Sequence, residues 1–141
     1  MQRRQFVQTL GAGSAAVGLG SVTGCASIGG TKGHVVVIGG GYAGATAAKY
    51  VRLFSEGSVN VTLIEPNASF ISCPISNLVI GGHKTIADIT TPYDNLERRH
   101  GVKLVRDMVA SIDTTKQTVK LAGGADIAYD RLIVSPGVDF M

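Results

Sequence analysis

Three glycines, Gly39, Gly41 and Gly44, stand between a β-branched run and an alanine-rich run, and this juncture constrains the fold more than any other part of the chain. His34-Val35-Val36-Val37-Ile38 reads as a buried strand, because β-branched side chains suit a pleated surface. Ala45 to Phe54 reads as a helix, with Ala45, Ala48 and Val51 recurring on one face. A G-x-G-x-x-G spacing is weak alone and informative in this strand–turn–helix setting. Gly39 allows the tight turn, Gly41 bares the backbone to an approaching diphosphate, and Gly44 lets helix and strand pack closely. Tyr42 and Ala43 complete the turn and belong to the same candidate site. The phosphates would sit at the helix N-terminus, where free N–H groups and the helix dipole favour negative charge.

Val59 to Ile64 alternates into a second strand, closed by Glu65 and Pro66. A carboxylate at that point accepts hydrogen bonds from a ribose diol and repels a 2′-phosphate. Strand, glycine turn, helix, strand and terminal Glu together point to a dinucleotide site. The rival reading is a glycine-rich turn in some other α/β unit.

The remaining segments extend an α/β pattern. Thr91-Pro92-Tyr93-Asp94 reads as N-cap, Pro at N1 and an acid at N3, opening a helix to about His100 that Gly101 ends. Val102 to Val105 is a third strand. Val109–Ile112 and Gln117–Leu121 read as a hairpin, and Gly123-Gly124 turns the chain into a last strand. The expected architecture is a Rossmann-like domain with a parallel sheet and a β-hairpin insertion.

Composition excludes several classes. The 141 residues allow one small domain, and 45% apolar residues suffice for a core. Glycine, at 19 residues, is about twice its usual share, but it clusters instead of repeating, which excludes collagen. The formal charge of +3 owes two units to Arg3 and Arg4, in a segment with no acidic residue before Glu56. No basic stripe remains in the body, which argues against nucleic-acid binding. Arg98, Arg99, Lys103 and Arg106 read as a solvated face. Cys25 and Cys73 are too few for a disulfide framework or a zinc site, and His34, His83 and His100 show no metal spacing.

Residues 1–30 read as an address. A basic start, a short apolar middle (Gly11 to Gly20) and a small-residue end describe an export signal, and the apolar run is too short to span a membrane. Arg3-Arg4 resembles the twin-arginine signal, which exports folded proteins to the periplasm. Val22-Thr23-Gly24-Cys25 also resembles a lipobox, so either lipidation at Cys25 or simple cleavage nearby is expected.

The glycine fingerprint serves NAD and FAD alike. Ala128 to Gly137, an apolar run entered through Tyr129-Asp130 and left through Gly137, resembles the second flavin motif of glutathione reductase-type flavoproteins and favours FAD. Those proteins usually read Ala-Thr-Gly where this chain has Ser135-Pro136-Gly137. Cys73 lies eight residues beyond Glu65, a reach of up to about 26 Å if extended. Three readings of Cys73 stand: a buried small hydrophobe, a redox thiol with its partner elsewhere, or a covalent link to the flavin. Pro74 fits the first turn of a helix directly after it.

Val35 to Lys49, Val61 to Asn67, and Cys73…Ser76-Asn77…Val79-Ile80-Gly81-Gly82 together resemble the flavoprotein subunit of flavocytochrome c sulfide dehydrogenase, a family of FAD-dependent disulfide-oxidoreductase-type proteins. The resemblance covers nearly the whole chain. It implies FAD joined covalently to Cys73, sulfide as electron donor and a cytochrome c subunit as partner. It also implies a redox cysteine pair later in the chain than these residues, so the sequence is expected to be an N-terminal piece, inactive alone. Two other functions stay open: another FAD- or NAD-linked disulfide-reductase-like enzyme, and a non-catalytic nucleotide-binding remnant.

Overall fold

The computed structural model describes residues 32–138; residues 1–31, with Arg3, Arg4 and Cys25 and the expected export signal, lie outside them. Four parallel strands form the main sheet: β1 (His34–Ile38), β2 (Asn60–Ile64), β5 (Lys103–Val105) and β9 (Arg131–Val134), in the order β5-β2-β1-β9. The chain leaves β1 towards β2 and β5, then returns on the opposite side as β9, paired Val35 with Arg131 through Ile38 with Val134. The order therefore reverses at β1, and a crevice opens at the carboxyl ends there.

Alternation along β1 divides its side chains between two cores. Val37 faces a cluster with Ala48, Val61, Leu63, Tyr93 and Val102, under α1 (Tyr42–Phe54) and α3 (Asp94–His100). Val36 and Ile38 face the other cluster, with Ile64, Val119, Leu121 and Tyr129. Because both faces are covered, the strand reads as an unbroken apolar run instead of alternating.

Several boundaries differ from those read off the sequence. Helix α1 starts at Tyr42, so Gly44 lies within it. The expected hairpin is a three-stranded antiparallel meander, β6 (Val109–Asp113), β7 (Thr118–Leu121) and β8 (Asp126–Ala128). Gly123-Gly124 therefore leads into β8, and Tyr129-Asp130 breaks the chain before β9. Pro92 does not begin α3: Ser69–Ile71 (β3) pairs antiparallel with Thr90–Pro92 (β4), and the helix follows at Asp94. This pairing captures the Thr-Pro dipeptide that local rules assign to a helix start. A 3-10 turn at Cys73–Ile75 and a one-turn helix α2 (Ser76–Ile80) join the two short strands.

Arg52 locks the amino end of the sheet. Its guanidinium donates to the carbonyls of Gly57 (2.7 Å), Val59 (2.6 Å) and His100 (2.9 Å), joining α1, the start of β2 and the end of α3. An Arg52→Ala variant orphans three carbonyls and is expected to lose about 2–3 kcal/mol of stability, read as a lower urea midpoint.

Candidate functional site

The carboxyl ends of β1, β2 and β9 meet at the glycine turn. Gly39 N–H donates to Ile64 O at 2.9 Å, and Ser135 N–H to Ile38 O at 2.9 Å. Gly39 has φ +92°, and a Cβ there would strike the Ser135 carbonyl, so the turn and the approach of β9 both require glycine. A Cβ on Gly44 would fall onto the Gly39 carbonyl oxygen and lie 2.6 Å from Ser135 Oγ. A Cβ on Gly41 would meet only the Phe70 ring, at 4.0 Å, which leaves that side of the turn open.

Helix α1 has no side-chain cap at Gly41 and no acidic residue in its first turn. The N–H groups of Tyr42, Ala43 and Gly44 have no intrahelical acceptor, since the first internal bond runs from Ala45 N–H to Gly41 O. An exposed helix start with free donors and no competing carboxylate can hold an anion.

Glu65 stands beside this turn, half-buried. Its Oε2 accepts from Gly40 N–H at 2.7 Å, while Oε1 accepts from Asn67 N–H at 3.0 Å and from the Asn67 side-chain amide at 2.7 Å. A carboxylate offers about four acceptor positions, so about one stays open. A diol that donates twice therefore displaces one of these bonds, and the side-chain amide of Asn67 is the one free to swing away.

The structure brings Gly39, Gly41, Tyr42, Ala43, Gly44 and Glu65 together, and it gathers residues that local sequence reasoning did not single out. Tyr93, 6% exposed, donates from its hydroxyl to Gly40 O at 2.9 Å. Burial, and secondarily the Glu65 carboxylate, push its phenol up to about 12, so it stays a donor at neutral pH. Gly40, an unspecified position of the fingerprint, has no room for a side chain: a Cβ would lie 2.5 Å from the Tyr93 hydroxyl and 2.9 Å from Glu65 Cγ. The run of three glycines was the only sign of this; nothing near Tyr93 marks it. A cavity of about 570 Å³ adjoins the turn, lined by Gly41, Tyr42, Phe70 and Tyr93 together with the cations Lys49 and Arg99.

Cys73 is an exposed free thiol. The segment does not run outward to its full reach. It folds back through β3, so that Ser72, buried, hydrogen-bonds the Tyr42 hydroxyl, while the Tyr42 ring meets Phe70 edge-on at 4.7 Å. Cys73 thus follows directly on a residue tied to the start of α1. Ser72, not Cys73, takes the cap position, and Pro74 lies within the 3-10 turn.

Other candidates stand apart. Gly137 follows β9 with φ +81° and open space around it. Asp130 accepts from His34 N–H at 2.6 Å at the opposite end of the sheet, and Tyr129 is core, so the Tyr-Asp pair of the last segment supports the fold away from the turn. His34 Nε2 pairs with Thr62 Oγ1 at 2.8 Å. Arg98, Arg99, Lys103 and Arg106 are exposed. Among the described residues there is no group of three or more metal-ligating side chains, and no helix is long and apolar enough to cross a membrane.

Residues 33–139 match the family model described as pyridine nucleotide-disulphide oxidoreductase. The chain belongs to that family. It is 54% identical over 50 residues to the sulfide dehydrogenase [flavocytochrome c] flavoprotein chain of Chlorobaculum thiosulfatiphilum, covering 36% of this chain and 100% of that sequence. It is 31% identical over 104 residues to the sulfide-quinone reductase of Aquifex aeolicus (strain VF5), covering 74% of this chain and 24% of that one. The fold superposes on the X-ray structure of the Aquifex aeolicus sulfide:quinone oxidoreductase with a TM-score of 0.68 at 31% identity, covering 77% of this chain and 25% of that chain. It also matches the covalent putidaredoxin reductase–putidaredoxin complex, with a TM-score of 0.64 at 26% identity over 76% of this chain and 26% of that one. These matches agree with the α/β architecture and parallel sheet read from the sequence. The chain spans about a quarter of the longer relatives.

Proposed function

We propose that this chain is the N-terminal part of an exported FAD-dependent oxidoreductase of the sulfide dehydrogenase type. The observation that carries the reading is Glu65 held beside an uncapped glycine turn, in a chain 54% identical over 50 residues to the flavoprotein chain of a flavocytochrome c sulfide dehydrogenase. The residues fit FAD. The free N–H groups of Tyr42 and Ala43, with Gly41 open beside them, bind its diphosphate, and Glu65 takes the adenosine ribose. Gly137 leaves the backbone clear where β9 ends. When bound, the flavin accepts two electrons from a donor and releases them singly.

Cys73 is the proposed covalent link to that flavin. Sulfide is the proposed donor and a cytochrome c subunit the acceptor: each hydrosulfide gives two electrons and a proton, leaving sulfur at the oxidation level of the element, and two haems are reduced. The redox cysteines expected to meet sulfide lie outside these 141 residues. Arg3-Arg4 directs export to the periplasm, and Cys25 either anchors a lipid or is removed with the leader.

The whole protein, mixed with sulfide and oxidised cytochrome c, is expected to reduce two haems per sulfide consumed, followed by haem absorbance. Flavin reduced by a nicotinamide nucleotide and indifferent to sulfide would overturn the reading in favour of a pyridine-nucleotide-linked reductase.

A further inference from the structure

The Gly40 residue is gripped at both of its polar groups. Glu65 Oε2 takes its N–H at 2.7 Å, and the Tyr93 hydroxyl donates to its carbonyl at 2.9 Å. The Gly40–Gly41 peptide is trans and planar, so its C=O and N–H point in opposite directions. With the carbonyl fixed on Tyr93, the Gly41 N–H points away from the Tyr93 hydroxyl. It makes no hydrogen bond among the described residues.

We propose that Tyr93 is a positioning residue for the cofactor diphosphate: its hydroxyl sets the Gly40–Gly41 peptide so that the Gly41 N–H is presented to a phosphate oxygen. The inference rests on the FAD reading above and adds a residue that touches no phosphate itself. It explains why Gly40 must lack a side chain, since Tyr93 and Glu65 fill that space. Without the hydroxyl, the peptide is free to rotate, and each phosphate bound must first order it. Adenosine, which ends at the ribose, does not call on that N–H.

The test compares ADP with adenosine as probes, on the full chain in a Cys73→Ser background that lets the site be emptied of flavin. The starting protein is expected to prefer ADP. Tyr93→Phe is expected to narrow that preference about tenfold, the worth of one charge-assisted hydrogen bond, with adenosine affinity unchanged. The ratio is insensitive to the fraction of protein folded. Val102→Ala, which loosens the same core cluster without touching the hydroxyl, is expected to leave the ratio alone. If Tyr93→Phe leaves the ratio unchanged, or Val102→Ala narrows it equally, Tyr93 has no positioning role and the cofactor reading stands. If the starting protein shows no preference for ADP, both fall.

Discussion

A Gly44→Ala protein is expected to bind no flavin and to unfold about 3 kcal/mol more easily than its parent. Alanine ordinarily favours a helix interior over glycine by about 1 kcal/mol, so propensity alone predicts the opposite sign. The site decides otherwise. The added methyl would lie on the Gly39 carbonyl oxygen and against Ser135 Oγ, and neither can yield cheaply. Gly39 is held by its own N–H bond to Ile64 O, and Ser135 by its N–H bond to Ile38 O. Relief requires α1 to move off the carboxyl ends of β1 and β9, which takes the free N–H groups of Tyr42 and Ala43 away from the place where Glu65 waits. Denaturant midpoint and flavin absorbance together check this; a variant of parental stability that still holds flavin contradicts it.

Changing Cys73 to Ser is expected to free the flavin completely on acid precipitation, whereas the parent keeps it in the protein pellet. The thiol is exposed and adjoins Ser72, whose bond to the Tyr42 hydroxyl keeps this turn at the start of α1. Serine preserves the 3-10 turn and the Ser72–Tyr42 bond, so the cofactor site stays intact and non-covalent binding persists. Parent protein that releases its flavin on acid treatment would rule out the covalent link and leave the fold and glycine turn untouched.

The parts of the fold legible in the sequence were those set by local chemistry. Residues Val35 to Ile38 can hardly be anything but a buried strand, the glycine spacing set the turn, and Glu65 closed β2 as its position suggested. What stayed hidden depended on partners distant in sequence. Thr91-Pro92 carries the local marks of a helix start, and only Ser69 and Phe70, more than twenty residues away, draw it into a strand. Asp126–Ala128 is too short to announce itself and exists because β7 offers it an edge. Tyr93 is an ordinary aromatic until α3 folds over β1 and brings its hydroxyl to Gly40. An extended path from Glu65 would carry Cys73 up to about 26 Å away, whereas the Ser72–Tyr42 bond holds the residue before it at the start of α1. Tyr129-Asp130 enters β9 at the amino end of the sheet, and Gly137 leaves it at the end where the glycine turn lies.

The most direct measurement is a crystal structure of the whole flavin-loaded protein. The diphosphate should lie against the N–H groups of Gly41, Tyr42 and Ala43, with the adenosine ribose hydroxyls within hydrogen-bond distance of Glu65 and the Asn67 amide displaced. A flavin bound elsewhere, with Glu65 still accepting only from Gly40 and Asn67, would contradict it.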